Sequence, residues 1–214
     1  MKNFLTKLLA MTLAICALFT LTACGDTGAG GGGGDEPAHV HDYIDHVCSC
    51  GDVEQYTEGL RYKEIAGGTI SILGFEEGVE VPETVYIPQK INGKPVVAIG
   101  ANAFKDATFK FIRLPDGLRY IYNYAFVGSN LNAITIPASV EQIHVQALNA
   151  PHLGTVNFTQ TEGWYRGRHY MASPDPANAV KASTMANAQG IAKTLTDTDR
   201  ADNGGNLVWY RIVK

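Results

Sequence analysis

The feature that most constrains what this chain can fold into is a repeat with a step of 22 residues. Ile99, Ile121 and Ile143 stand at that spacing, and so do the pairs Ala103-Phe104, Ala125-Phe126 and Ala147-Leu148. The same step links Phe109, Leu131 and Leu153, then Ile112, Ile134 and Val156, then Leu114, Ile136 and Phe158. Pro115 and Pro137 keep the register, as do Val96, Leu118 and Val140. So many columns without insertion or deletion leave chance a poor explanation. A period in the twenties predicts a solenoid with one coil per repeat, because a coil this short cannot bury its apolar side alone.

Each column has a physical task. In Leu131-Asn132-Ala133-Ile134-Thr135-Ile136 the residues at 131, 134 and 136 face inward, and the alternation over the last four is a strand pattern. Pro137 ends the strand because it has no N–H to donate to a ladder. Val140-x-x-Ile143 returns across the far wall, and Ala125-Phe126 fills the corner with one small and one large side chain. Upstream, Val85-x-Ile87-Pro88 matches Ile112-x-Leu114-Pro115 at a step of 27 rather than 22. The five extra residues fall in 89–95, where Asn92-Gly93 signals a tight turn. The array is therefore expected over residues 83–158, as one coil with an insertion, two regular coils and a partial one.

Both flanks read as caps. Residues 56–82 hold two β-type segments, 60–65 and 69–73, joined at Gly67-Gly68 as a hairpin that covers the open end of the first coil. Residues 159–214 begin with an aromatic and basic stretch in which Trp164 reads as cap packing. Asp175 before Pro176 is a helix-start signal, residues 177–195 are alanine-rich with a break expected at Gly190, and 207–213 form a last strand.

Ile87-Pro88, Asn92-Gly93-Lys94-Pro95-Val96, the Ala-Phe pairs and Leu131-x-x-Ile134-x-Ile136-Pro137 together resemble the BspA-like (Treponema-type) leucine-rich repeats of bacterial surface proteins. The likeness is strong from about residue 56 to 158 and looser in the tail, and Leu148 stands where earlier coils have Phe. The resemblance implies a β-rich repeat solenoid of leucine-rich-repeat type with a short helical C-terminal cap. It also implies contacts with host or neighbouring-cell proteins, or with surface polymers.

Residues 1–23 carry Lys2 and Lys7, then an apolar run over 8–21, then small residues, the grammar of a secretory signal. The run falls short of the roughly 20 apolar residues a membrane span needs. Leu21-Thr22-Ala23-Cys24-Gly25 resembles a bacterial lipobox, which implies cleavage before Cys24 and diacylglycerol on its sulfur. An ordinary secretory leader or an uncleaved anchor is the alternative. Residues 24–38, with glycine at every position from 30 to 34, form a tether spanning on the order of 20 Å. The expected address is extracytoplasmic, a bacterial lipoprotein at the cell surface that meets the membrane through its lipid alone.

Residues 39–55 contain the chain's one concentration of metal-ligand chemistry: His39, His41, His46, Cys48 and Cys50. Imidazole and thiolate groups within a dozen residues suit a structural zinc ion. Cys-x-Cys is tighter than the usual knuckle, so a strained disulfide or free thiols remain open readings. Discarding Lys2 and Lys7 leaves 15 basic against 21 acidic side chains. A chain of that sign lacks the basic stripe needed to neutralise phosphates, which argues against nucleic acid as a partner.

No Gly-x-Ser-x-Gly, His-Glu-x-x-His or phosphate-cradling loop is present, and the columns spend their residues on packing, so no enzyme is expected. Function is expected on the outward strand positions. Stacking places Tyr86, Arg113, Thr135 and Asn157 in one file and Thr84, Phe111, Ala133 and Thr155 in the next. Tyr86, Phe111 and Arg113 are of the types that dominate interfaces, whereas Thr135 and Asn157 also suit a plain solvated sheet. Tyr120, Tyr122 and Tyr124 form a strand-like aromatic patch on the opposite wall. The leading reading is a tethered module that binds an extracellular protein or glycan. A metal-holding lipoprotein built on residues 39–50 and a passive envelope protein are the alternatives.

Overall fold

The computed structural model describes residues 43–44, 47–48, 55–167, 175–196 and 208–212. The repeat columns become the ladders of two parallel sheets. The first sheet is built from β5 (Thr84–Tyr86), β8 (Phe111–Arg113), β10 (Ala133–Ile136) and β12 (Thr155–Phe158). Thr84 lies opposite Phe111, Phe111 opposite Ala133, and Ala133 opposite Thr155, which reproduces the sequence steps of 27, 22 and 22. The second sheet runs through β7 (Lys94–Ile99), β9 (Tyr120–Ile121) and β11 (Gln142–Ile143), pairing Ile99 with Ile121 and Ile121 with Ile143.

The core fills the space between the sheets. Val96, Leu118 and Val140 are fully buried, as are Leu131, Ile136 and the isoleucines of the second sheet, while Leu114 is half-buried. At the corners Phe104 stacks on Phe126 with centroids 5.6 Å apart, and Phe109 meets both edge-on at 5.3 and 6.5 Å. Backbone groups at the same corner bond from coil to coil: the Phe104 N–H donates to Ala125 O at 2.7 Å and the Phe126 N–H to Ala147 O at 2.8 Å. The corner is thus both a side-chain stack and a hydrogen-bond ladder, as buried backbone groups require.

Both flanking caps add to the second sheet. β3 (Leu60–Ile65) and β4 (Thr69–Phe75) form an antiparallel hairpin, and β4 pairs in parallel with β7. Gly74 makes the fit possible: at φ 118° it passes so close to Ala103 O that a Cβ would lie 2.3 Å from it. The five-residue insertion folds back as β6 (Lys90–Ile91) against the start of β7, turning at Asn92 and Gly93, both left-handed. It braces the hairpin, since Asn92 Nδ2 donates to Tyr62 Oη at 3.0 Å and Lys94 Nζ donates to Glu64 Oε2.

At the other end β13 (Trp164–Gly167) and β14 (Val208–Arg211) close the sheet antiparallel against β11. Arg211 reaches back across the last coil to donate to Val140 O at 3.2 Å and to Ala138 O, and Trp164 is buried with Nε1 donating to Gln160 O at 2.8 Å. Asp175 caps a short 3-10 turn, Pro176–Asn178, accepting from the Ala177 N–H. The expected helix break at Gly190 is corrected. α1 (Ala182–Met185) ends earlier, and α2 (Ala188–Thr196) runs through Gly190 and packs on β12. Asn187 sets the break because its Oδ1 accepts from the Gly190 N–H at 3.0 Å, and a Cβ at 190 would crowd that side chain.

In the N-terminal segment, β1 (Tyr43–Ile44) pairs antiparallel with β2 (Val47–Cys48). Residues 1–42, with the expected leader, Cys24 and the expected tether, lie outside the described residues. No described helix is long and apolar enough to cross a membrane.

Candidate ligand-binding face

Strand alternation decides which side chains the first sheet offers to solvent. Val85, Ile112, Ile134 and Val156 point into the core, so their neighbours must point out. The register places Thr84, Phe111, Ala133 and Thr155 in one file. Tyr86 stands opposite Arg113 and Thr135 opposite Asn157, and the shared register carries the second file across all four strands. Phe111 is 43% exposed, an unusual position for a ring that size in a central strand. Arg113, Thr135 and Asn157 are exposed and Tyr86 is half-buried.

An open groove of about 450 Å³ lies along these files. Tyr86, Phe111, Arg113 and Thr135 line it, and Asn157 does not. Asp116 and Thr159 also line it, though neither is a strand residue. Their signal is visible in hindsight: Asp116 directly follows Pro115, so the strand's end turns it beside the outward file. Among the described residues neither Arg113 nor Asp116 has an ion-pair partner, so both remain available to a ligand. The neighbouring Lys110 is instead engaged by Glu83 at 2.9 Å.

The opposite wall is occupied with itself. Arg119 holds Glu141 of the next coil through two bonds, Nε to Oε1 at 2.7 Å and Nη2 to Oε2 at 3.1 Å. Donating to the Glu141 carboxylate raises the pKa of Arg119. The Arg119 guanidinium lies over the Tyr120 ring at 5.2 Å, Tyr120 stacks on Tyr122 at 6.0 Å, and Tyr122 meets His144 at 4.9 Å. Burial raises the Tyr120 pKa, with the Glu141 charge adding to it, and burial lowers those of His144 and Arg211. The expected patch of three tyrosines is corrected here. β9 ends at Ile121, and Tyr124 lies beyond it on the corner in a left-handed conformation, φ 60°.

The proposed metal ligands His39, His41, His46 and Cys50 lie outside the described residues, as does the lipidation candidate Cys24. Cys48 is placed opposite Tyr43 in the β1–β2 pair by its backbone alone. Among the described residues no group of three or more His, Cys, Asp or Glu side chains is arranged to hold a metal ion.

Comparison with known proteins agrees with the ladder. Residues 83–163 match the family model described as "BspA type Leucine rich repeat region (6 copies)". Among solved structures, a leucine-rich repeat protein from Bacteroides capillosus is 24% identical, with 50% of this chain and 98% of that one covered and a TM-score of 0.38. The T. pallidum leucine-rich repeat protein is 21% identical, with 49% and 71% covered and a TM-score of 0.30. No curated protein matches the chain. With coil-to-coil register, core columns and family match in agreement, residues 83–163 of this chain form a leucine-rich repeat region of the BspA type.

Proposed function

We propose that the protein is a surface-tethered binding module that captures an extracellular protein or surface polymer on the outward face of β5, β8 and β10. The observation that carries this reading is the exposed Phe111 ring in an open groove, beside an Arg113 that has no ion-pair partner among the described residues. A sheet built to be inert fills such positions with Thr and Asn, as the later coils do. An aromatic and an arginine on rigid strands are the side chains that dominate binding energies when they are covered. The opposite wall pairs its charges from one coil to the next, which leaves it less to offer a partner.

Delivery to the surface rests on the leader and on Cys24. Acyl chains at that sulfur hold the module on the membrane, each buried CH₂ contributing about 0.8 kcal/mol, and the glycine tether lifts the array off the headgroups. Cys24→Ser should release the protein or block its processing, with a matching loss of lipid mass. Membrane retention with unchanged mass would refute the anchor.

The binding test is capture from a mixture of extracellular proteins and glycans by purified residues 39–214. Replacing Tyr86 and Phe111 with Ala and Arg113 with Glu together should lower affinity by at least about 30-fold, the weight of one hot spot. Unchanged capture exonerates the face. Deleting residues 39–52 should leave capture intact; its loss would move function to the histidine-cysteine segment.

A further inference from the structure

We propose that the occupant of this face is a linear β-1,4-linked glycan without acidic groups, lying along the solenoid axis across β10, β8 and β5 and ending over Tyr56. The inference rests on the reading that the outward face binds a ligand, and it names that ligand's chemistry.

The recess continues past the first strand of the array. A second open groove, of about 610 Å³, adjoins the first and shares Thr84 and Tyr86 with it as lining residues. Thr57 caps the edge of β5: its N–H donates to Tyr86 O at 2.9 Å, and its Oγ1 accepts from the Tyr86 N–H at 2.8 Å. Tyr56 lines this second groove and is 39% exposed. Three rings therefore mark the trough: Phe111 and Tyr86 on adjacent strands in neighbouring files, and Tyr56 in the segment beside β5. A ring face offers an apolar platform to the C–H face of a sugar while leaving the sugar's hydroxyls free.

Spacing separates a glycan from a peptide. Neighbouring strands recur about every 4.8 Å, close to the advance of one equatorially linked pyranose, so each sugar can meet one coil. An extended peptide advances about 3.3 Å per residue and sends alternate side chains to opposite sides, so it drifts out of step with the strands. The polar lining fits the same occupant. Thr84 and Thr135 offer hydroxyls, and Asp116, Glu58 and Glu80 offer carboxylates that accept from sugar hydroxyls. Three carboxylates against the single guanidinium of Arg113 give the trough a negative sign, which repels an acidic polymer.

The test is titration calorimetry on the full chain in detergent, with chitohexaose and cellohexaose as probes, their disaccharides for length and a hyaluronan hexasaccharide for charge. At least one neutral hexaose should bind, about tenfold or more tighter than its disaccharide, and the hyaluronan oligomer should not. Tyr56→Ala and Phe111→Ala should each weaken hexaose binding by about tenfold, the scale of one lost ring contact. Tyr62→Ala, an exposed ring outside both grooves, should leave it unchanged. Thermal unfolding of each variant checks that the fold is intact. If neither hexaose binds, the glycan inference falls, and loss of capture in the Tyr86, Phe111 and Arg113 triple variant would show that the face itself still stands. If a hexaose binds and survives both Tyr56→Ala and Phe111→Ala, the placement in this trough is wrong.

Discussion

Phe126 is the side chain whose removal tests the packing of the array most severely. Its ring is fully buried, stacked on Phe104 at 5.6 Å and edge-on to Phe109 at 6.5 Å, so it joins two coils at their shared corner. Phe126→Ala removes the ring and leaves a cavity that the coil cannot close, because the corner backbone is fixed by the Phe126 N–H bond to Ala147 O. The expected cost is roughly 3–5 kcal/mol. Phe126→Leu imports the side chain the next coil uses at Leu148 and keeps most of the volume. It gives up the two ring pairs, worth about 0.5–1.5 kcal/mol each, so it should cost about 1–3 kcal/mol. Urea unfolding followed by tryptophan fluorescence reads both, since Trp164 and Trp209 are buried in the C-terminal cap and report from a distance. Coils that stabilise one another should pass the loss to that cap in one transition. A cost below about 1 kcal/mol for Phe126→Ala would refute the corner stack as core. A tryptophan transition that stays put while far-UV circular dichroism shifts would refute the coupling.

Other substitutions probe different links. Tyr124 holds a left-handed conformation that disfavours a bulky side chain, so Tyr124→Asn should stabilise by about 0.5–1 kcal/mol, read as a raised Tm. Asn187→Ala removes the cap of α2 and should cost about 1 kcal/mol in urea unfolding. His144 should make the fold sensitive to acid. Burial lowers its pKa below the ordinary value of about 6.5, so below that pH the unfolded chain binds a proton that the folded chain refuses. Stability should be complete above about pH 6.5 and decline as pH falls toward the lowered folded pKa. His144→Gln should flatten that part of the Tm–pH curve relative to the parent; an identical slope in both would show that His144 is not the titrating group.

The sequence made the ladder legible because a solenoid writes one coil's packing into every coil. Ile99, Ile121 and Ile143 predicted their own register, and the step of 27 to Val85 located the insertion without any structural help. What was hidden was backbone conformation. Asn102, Tyr124 and Gln146 share a left-handed corner at φ 57°, 60° and 51°, yet Asn alone among them advertises it. Alternation misled at Tyr120, Tyr122 and Tyr124, since period two says nothing about where a strand of two residues stops. In the cap, Gly190 looked like the helix breaker because glycine weakens helices. The side chain of Asn187 decided the matter by offering an acceptor three residues earlier. For the binding face, the strand residues were legible and the flanking ones were not: Asp116, Thr159 and Tyr56 reach the grooves through turns whose direction no local pattern encodes.

The proposed function divides the coil into one wall spent on packing and another kept for a ligand. Placing equal bulk on each wall tests it most directly. Thr135→Trp fills the groove from an exposed strand position, and Asn123→Trp adds the same ring to an exposed position after β9 on the other side. Both variants should keep the parent Tm, the first should lose capture of the ligand in the pull-down, and the second should retain it. Capture that survives Thr135→Trp, or that is lost with Asn123→Trp, would contradict the assignment of the binding face.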